Sequence, residues 1–365
     1  MKIEGVRIVR ANMPRVDPEW RTASYAASDV QGLLIEIAAG GVVGVGGLAA
    51  RPPGKGTPFA ELEEQLTGPI RQALIGQDVL ERTALLQRLN ALGLHKPVVS
   101  AVDIALHDLL GQATELPCYA LWGGAALPEV AVVRMVGIKP PDKLVASVGA
   151  MMDEGYTHFK VKLGTGVAED ETRVRALRER YGERIWIGID GNGAYSVDDA
   201  IALSHALAPY DVRLIEQPID YTDLDGLVRL TANSPVPIMS DQIVTSVASA
   251  LEVCQRKAAH VVAIKVGQTG SIDQCRQVAE MCLAFGLRVH VGGGAHPAVI
   301  DAAAAHVAVS VPGIDPEAEI GECFALTDDP VKGFGFSGGR WRPSTAPGFG
   351  VSLPGQPTSD RGAPA

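Results

Sequence analysis

Apolar and polar positions along this 365-residue chain fall into two textures. In the first, residues 1–125, Lys2–Ala11, Leu33–Ile37 and Val42–Gly47 alternate or run apolar over strand length, with Gly40-Gly41 supplying a turn before the last. Three helical patterns follow, over Phe59–Ile75, Val79–Leu92 and Ala101–Gln112. In the third, Ala101, Ile104, Ala105 and Leu109 share one stripe. This predicts an α+β module. From about Val130 the texture becomes periodic. Short β-branched runs at Val130–Ile138, His158–Leu163, Ile185–Ile189, Arg213–Ile215, Pro237–Ser240, His260–Val266 and Leu287–Val291 alternate with helical segments. Those segments include Val167–Arg180, Val197–Leu207, Val247–Arg256 and Ile272–Ala284.

Strand–helix alternation argues for βαβ units on a parallel sheet. The polar residues that end the runs, Lys162, Asp190, Glu216, Asp241, Lys265 and His290, are spaced 24 to 28 residues apart. So steady a repeat suits a (β/α)8-type barrel of roughly 250 residues or slightly fewer. A doubly wound open sheet is the competing architecture. It calls for a glycine-rich phosphate loop after its first strand, and the sequence has none there. The Pro-, Gly- and Ser-rich tail from Ser344 reads as a strap, with 354–365 expected to be disordered.

Composition narrows the function. Hydrophobic residues make up 47% of the chain, too many for a disordered one. Gly32–Ala50, the most apolar stretch, carries Glu36 and six glycines, so it reads as strands and turns rather than a membrane span. Met1-Lys2-Ile3-Glu4 opens no secretory-type apolar segment. A formal net charge of −10 speaks against a nucleic-acid partner. The five cysteines are odd in number and share no CxxC spacing, which points to buried thiols in a reducing cytoplasm.

In a barrel of this kind chemistry sits at the C-terminal strand ends. Lys160 and Lys162 lie two apart on a strand and share a face. Mutual repulsion of the two ammonium groups should lower at least one pKa toward the range of a useful base. Asp190, Glu216 and Asp241 end three successive strands and converge on one point. Three carboxylates with water and substrate completing an octahedron suit Mg²⁺, with Mn²⁺ as a substitute. Lys265 ends the next strand, as a Schiff-base nucleophile or as a proton donor. Strands two and six of a closed eight-strand ring face each other. Lys162 and Lys265 would therefore flank a substrate, an arrangement suited to removing a proton α to a carboxylate.

Together these residues resemble the enolase superfamily, and within it the muconate-lactonizing-enzyme subgroup. The motifs are Lys160-Val161-Lys162, Asp190-Gly191-Asn192, Glu216-Gln217-Pro218, Asp241 and Lys265. Ala101–Leu109, Leu121-Trp122-Gly123-Gly124 and Pro347–Val351 are similar to the family's connection between cap and barrel and to its terminal strap. The mandelate-racemase branch carries an Asp where Lys265 stands. The resemblance implies a modified TIM barrel, (β/α)7β, at 126–324, capped by an α+β domain at 1–125 with a strap at 325–353. It implies Asp190, Glu216 and Asp241 as Mg²⁺ ligands, Lys162 and Lys265 as acid/base pair, and Lys160 as the neighbour that keeps Lys162 deprotonatable. Asn192 and Gln242 would orient carboxylates, and a symmetric homo-oligomer is expected.

Where many subgroup members carry Glu-Ser, this chain has Val291-Gly292-Gly293-Gly294-Ala295-His296. Glu319 and Glu322 both offer the acid expected on strand eight, and His290 and His296 are extra acid candidates. The loop Pro14–Asp29 brings Trp20, Arg21 and Tyr25 as candidate substrate contacts, Arg21 for an anionic group. The expected reaction is Mg²⁺-dependent abstraction of a proton α to the carboxylate of a small substrate, ending in racemisation or epimerisation. Cycloisomerisation or β-elimination through the same enolate is the alternative. A Schiff-base aldolase and a non-catalytic barrel module are the competing classes.

Overall fold

The computed structural model describes residues 1–355. The disordered tail expected at 354–365 therefore lies almost wholly outside the described residues. The chain opens with an antiparallel sheet of β1 (Ile3–Pro14), β2 (Asp29–Ala39) and β3 (Val42–Ala49). One face of β2 and β3 is covered by the helix Lys96–Thr114, which starts five residues before the stripe predicted from sequence, because Pro97 is pre-set for the first turn. This contact is very close. A Cβ on Gly44 would lie 2.2 Å from the Ala105 carbonyl, and one on Gly46 1.9 Å from that of Ala101. The predicted helix at Phe59–Ile75 forms, but Pro69 widens its middle turn into a π-helical segment, Leu66–Ile70.

The second half is a closed parallel ring of β4 (Val130–Val136), β5 (His158–Lys162), β6 (Trp186–Asp190), β7 (Val212–Glu216), β8 (Ile238–Ser240), β9 (Val261–Ile264), β10 (Arg288–Val291) and β11 (Glu317–Ala318). Pairing of Glu317 with Ala131 and Ala318 with Val132 closes the ring. Helices follow every strand but the last, giving a (β/α)7β barrel with an antiparallel cap, as expected. The residual strand β12 (Arg340–Trp341) lies antiparallel on β4. Among the described residues no helix is long and apolar enough to cross a membrane. All five cysteines are free and buried.

Two features of the ring position the mouth. Lower in the barrel, Leu214, Met239, Val261 and Ala263 pack with Trp186 into an apolar plug. Gly188 makes room for that indole, whose ring atoms would lie 2.6 Å from a Cβ there. Above the plug, Lys162, Asp190 and Glu216 pair in one register row across β5, β6 and β7. Placing any side chain at Gly46 forces the helix Lys96–Thr114 off β3. Gly46→Val is expected to cost on the order of 3 kcal/mol, read as a lowered urea midpoint with an unchanged slope.

Candidate active site

Alternation along β5 sends Lys160 and Lys162 inward, one tier apart. Lys162 Nζ lies 2.5 Å from Asp190 Oδ2. The deeper Lys160, 1% exposed, bonds Glu216, lies 2.6 Å from Glu319 Oε1 and 3.8 Å from Asp190. From the opposite wall, Lys265 reaches Asp241 Oδ1 at 2.7 Å and Glu216 Oε1 at 3.6 Å. The three acids thus form a row between two lysines that stand four strands apart.

The charges do not balance. Asp190, Glu216, Asp241 and Glu319 are four buried carboxylates facing three lysines. Glu216 Oε1, Asp241 Oδ1 and Glu319 Oε1 are sealed from solvent without an aligned hydrogen bond. Buried anionic oxygens with unmet bonding capacity, contributed by hard ligands from adjacent strands, fit a divalent cation. Burial pushes Glu216 above the ordinary carboxylate value despite Lys160 beside it.

The lowered lysine pKa expected from repulsion is not found at Lys160. Burial opposes its charge, but Glu216, Glu319 and Asp190 raise it well above the ordinary lysine range. At Lys160 and Lys265 the attraction of nearby acids outweighs burial and like-charge repulsion. Lys265 is likewise raised, burial being outweighed by Asp241 and Glu216.

Glu319, not Glu322, enters the site. Besides meeting Lys160, it accepts the Gly293 N–H at 2.8 Å. Glu322 turns away, accepting the Met135 N–H at 2.8 Å and pairing with Arg134 at 3.4 Å. The glycine run after β10 has a steric reason. A Cβ on Gly292 would lie 2.6 Å from Lys265 Cε, and one on Gly293 1.9 Å from the Glu319 carbonyl.

The expected carboxylate-orienting pair is corrected by the geometry. Asn192 touches Asp190 through its backbone N–H, at 2.9 Å, and its own Oδ1 is unpartnered. The reason is its left-handed backbone, φ 47°. Gln242 Oε1 is also unpartnered. Gln217 links the strands instead, its Oε1 accepting the Asp241 N–H at 3.1 Å and its amide donating to Ile219. Its position inside Glu-Gln-Pro was the available signal.

His296 lies 3.6 Å from Asp301 and meets none of the site carboxylates, and burial lowers its pKa to about 4. His290, less favoured from sequence, lies directly behind Glu319, with Nε2 3.3 Å from Oε1. His290, Asp315 and Glu317 also bring ligand atoms within 4.8 Å of one another. They lie toward the N-terminal side of the ring, where Arg288 holds Asp315 at 2.8 Å, so that cluster is a charge-paired network. In the loop over the mouth, Trp20 is buried and packs on Tyr25. Arg21 is exposed, and its backbone carbonyl accepts from the Ile138 N–H. Arg15, unnoticed in the sequence, is the buried arginine of this segment.

Models of two protein families match the chain: the mandelate racemase / muconate lactonizing enzyme N-terminal domain over residues 3–123, and the enolase C-terminal domain-like family over 143–356. The chain belongs to the mandelate racemase / muconate lactonizing enzyme family of the enolase superfamily. An N-succinylamino acid racemase of an Amycolatopsis species is 31% identical, over 96% of this chain and 95% of that protein. Muconate cycloisomerase 1 of Rhodococcus opacus is 29% identical over 97% and 96%. A dipeptide epimerase of Enterococcus faecalis, solved with Mg and the dipeptide L-Leu-L-Tyr, superposes with a TM-score of 0.90 at 28% identity. That superposition covers 96% of this chain and all of the other. These family members are epimerases, racemases and cycloisomerases.

The ion pair behind the site makes a pH prediction. Burial opposes the His290 charge, but Glu319, with Asp315 and Glu317, raises its pKa above the ordinary imidazole value. The stability this adds is complete below about pH 6.5 and is lost as pH rises through the folded-state value. Urea denaturation should therefore show wild-type stability falling from pH 6 to pH 9 more steeply than that of His290→Gln.

Proposed function

We propose that the mouth of the barrel is a Mg²⁺-dependent site that removes the proton α to a substrate carboxylate and returns a proton to the same carbon. The observation that carries this reading is the placement of Lys162 and Lys265 on opposite walls with Asp190, Glu216 and Asp241 in a row between them. These three acids would hold the ion. When bound, Mg²⁺ supplies a Lewis acid for the substrate carboxylate and stabilises the negative charge that gathers there as the proton leaves.

Every other part is supplied by the chain. Lys162 faces one side of the reacting carbon and Lys265 the other, so one amine takes the proton and the opposite ammonium delivers one. Inversion follows from that opposition. Lys160, held by Glu216 and Glu319, is too deep to reach a substrate proton, and supplies a fixed positive charge below the reacting group. The apolar plug beneath excludes water from this charge array, which strengthens it.

Racemisation or epimerisation is the reading preferred here, supported by the facing lysines and by the likeness to a racemase and a dipeptide epimerase. Cycloisomerisation is the second reading, supported by a nearly equal likeness to muconate cycloisomerase. Both need the same first step. The test is a panel of carboxylic acids in D₂O with Mg²⁺, followed by ¹H NMR. Deuterium entering the α-position of both enantiomers is expected. Exchange in one hand only, with ring closure or loss of water, selects the second reading, and no exchange in any acid overturns both.

Removing either amine is expected to slow α-proton exchange by about 10²–10⁴-fold, Lys162→Ala for one enantiomer and Lys265→Ala for the other. Chelation with EDTA should abolish exchange by wild type, and added Mg²⁺ should restore it.

A further inference from the structure

The loop that leaves β5 is wrapped around a carboxylate. Asp170, in the first turn of the helix Val167–Tyr181, is fully buried. Its Oδ2 accepts the N–H groups of Gly164, Thr165 and Gly166 at 3.0, 2.9 and 3.1 Å, and the Tyr195 hydroxyl at 2.5 Å. Its Oδ1 accepts from the Thr165 hydroxyl at 3.1 Å and from Arg173 Nη1 at 2.6 Å. Six donors thus converge on one acid, three of them a run of backbone N–H groups. The loop needs such an anchor. Gly164 and Gly166 have positive φ, 127° and 129°, so the backbone just after Lys162 is of the most permissive kind.

The same oxygen holds the exit of the next strand. Tyr195 follows Asp190 in the loop after β6, and its own N–H donates to the Pro218 carbonyl, beyond β7, at 3.0 Å. Burial, and then the Asp170 carboxylate, raise its phenol above the ordinary value, so it remains a donor at neutral pH. A Cβ on Gly164 would lie 2.7 Å from Ala194 Cβ, so the two exits are in contact. Below them the Leu163 N–H donates to the Asp190 carbonyl at 3.0 Å, and the Gly191 N–H to the Glu216 carbonyl at 3.0 Å. Lys162 and Asp190, paired at 2.5 Å, therefore sit at the feet of two loops that Asp170 ties together. Lys265 is held instead by Asp241 and Glu216 and by close packing on Gly292.

We propose that Asp170, with Tyr195 as its partner, is a positioning residue for proton transfer at Lys162. It acts through the backbone: by fixing the exits of β5 and β6 on one carboxylate oxygen, it sets the placement of the Lys162 amine against Asp190 and the reacting carbon. This inference rests on the two-lysine reading above. Its effect is confined to one hand of the substrate, because only one hand gives its proton to Lys162.

The test uses Asp170→Asn, which keeps the shape of the side chain but turns an amide nitrogen toward donors. With Mg²⁺ in D₂O, α-proton exchange is followed for each enantiomer of the panel acid that wild type exchanges fastest. Asp170→Asn is expected to slow exchange about 10–100-fold in the hand that Lys162→Ala slows, the scale of a misplacement of about 1 Å, and by less than about twofold in the other. Tyr195→Phe, which removes one donor and leaves the rest, should give a smaller loss in the same hand. A merely structural role would slow both hands alike; that result, a loss in the Lys265 hand, or unchanged rates in both overturns the proposal and leaves the proton-transfer reading standing. Amide hydrogen exchange of the full chain, read by mass spectrometry, supplies a readout without substrate. Residues 163–166 and 191–195 should take up deuterium faster in both variants, with 265–269 unchanged, and unaltered uptake overturns the clamp. Faster uptake while wild type exchanges no acid keeps the clamp on Lys162 and removes the reaction. Should Asp170→Asn fail to fold, Tyr195→Phe decides by the same two readouts.

Discussion

Four buried carboxylates crowd against three ammonium groups at the top of a closed ring, and most of the molecule serves to hold that unequal set together. Away from water each of these charges is expensive, so each must be met by another at short range. The register of β5, β6 and β7 sets Lys162, Asp190 and Glu216 side by side, and the ring closure at β11 brings Glu319 to Lys160 from behind. Without closure Glu319 would have no access to Lys160, and the deepest lysine would lose one of its two closest acids. Gly292 and Gly293 belong to the same constraint, since any side chain there would occupy the space of Lys265 or the Glu319 backbone.

The cap is joined to this ring by buried acids that act through the backbone. Asp108, on the helix Lys96–Thr114, accepts the Val45 N–H of the cap sheet and the Phe349 N–H of the C-terminal segment, both at 2.8 Å. Asp103, one turn earlier, accepts the Ile272 N–H at the start of a barrel helix at 2.7 Å. One helix therefore ties the three-stranded sheet, the barrel and the end of the chain together. The consequence is functional. The loop between β1 and β2 can only lie where that sheet places it, and it lies across the mouth.

A division of labour follows. Barrel strands carry the lysines and carboxylates of the candidate site, and the cap carries the loop that crosses its mouth. The two lysines are not equivalent in their surroundings. Lys265 is 22% exposed at its side chain and shares two acids, whereas Lys162 is closely held by one.

Strand-end chemistry was legible from the residues alone, because a parallel barrel repeats at a regular interval and puts a polar residue at each apolar-to-loop transition. Lys162, Asp190, Glu216, Asp241 and Lys265 could be placed at strand ends that way without coordinates, and the repeat itself indicated a (β/α)8-type barrel, which the family resemblance refined to (β/α)7β with a cap. What only the tertiary structure decided are contacts between segments distant in sequence. Glu319 was separated from Glu322 by which one points inward past Gly293, Gln217 took the bridging role from Asn192 and Gln242, and Arg15 rather than Arg21 was buried under Trp20. Periodicity reports the face on which a side chain lies. It carries no information about which partner stands across the ring or over the mouth, since that depends on how strands close and loops cross in three dimensions.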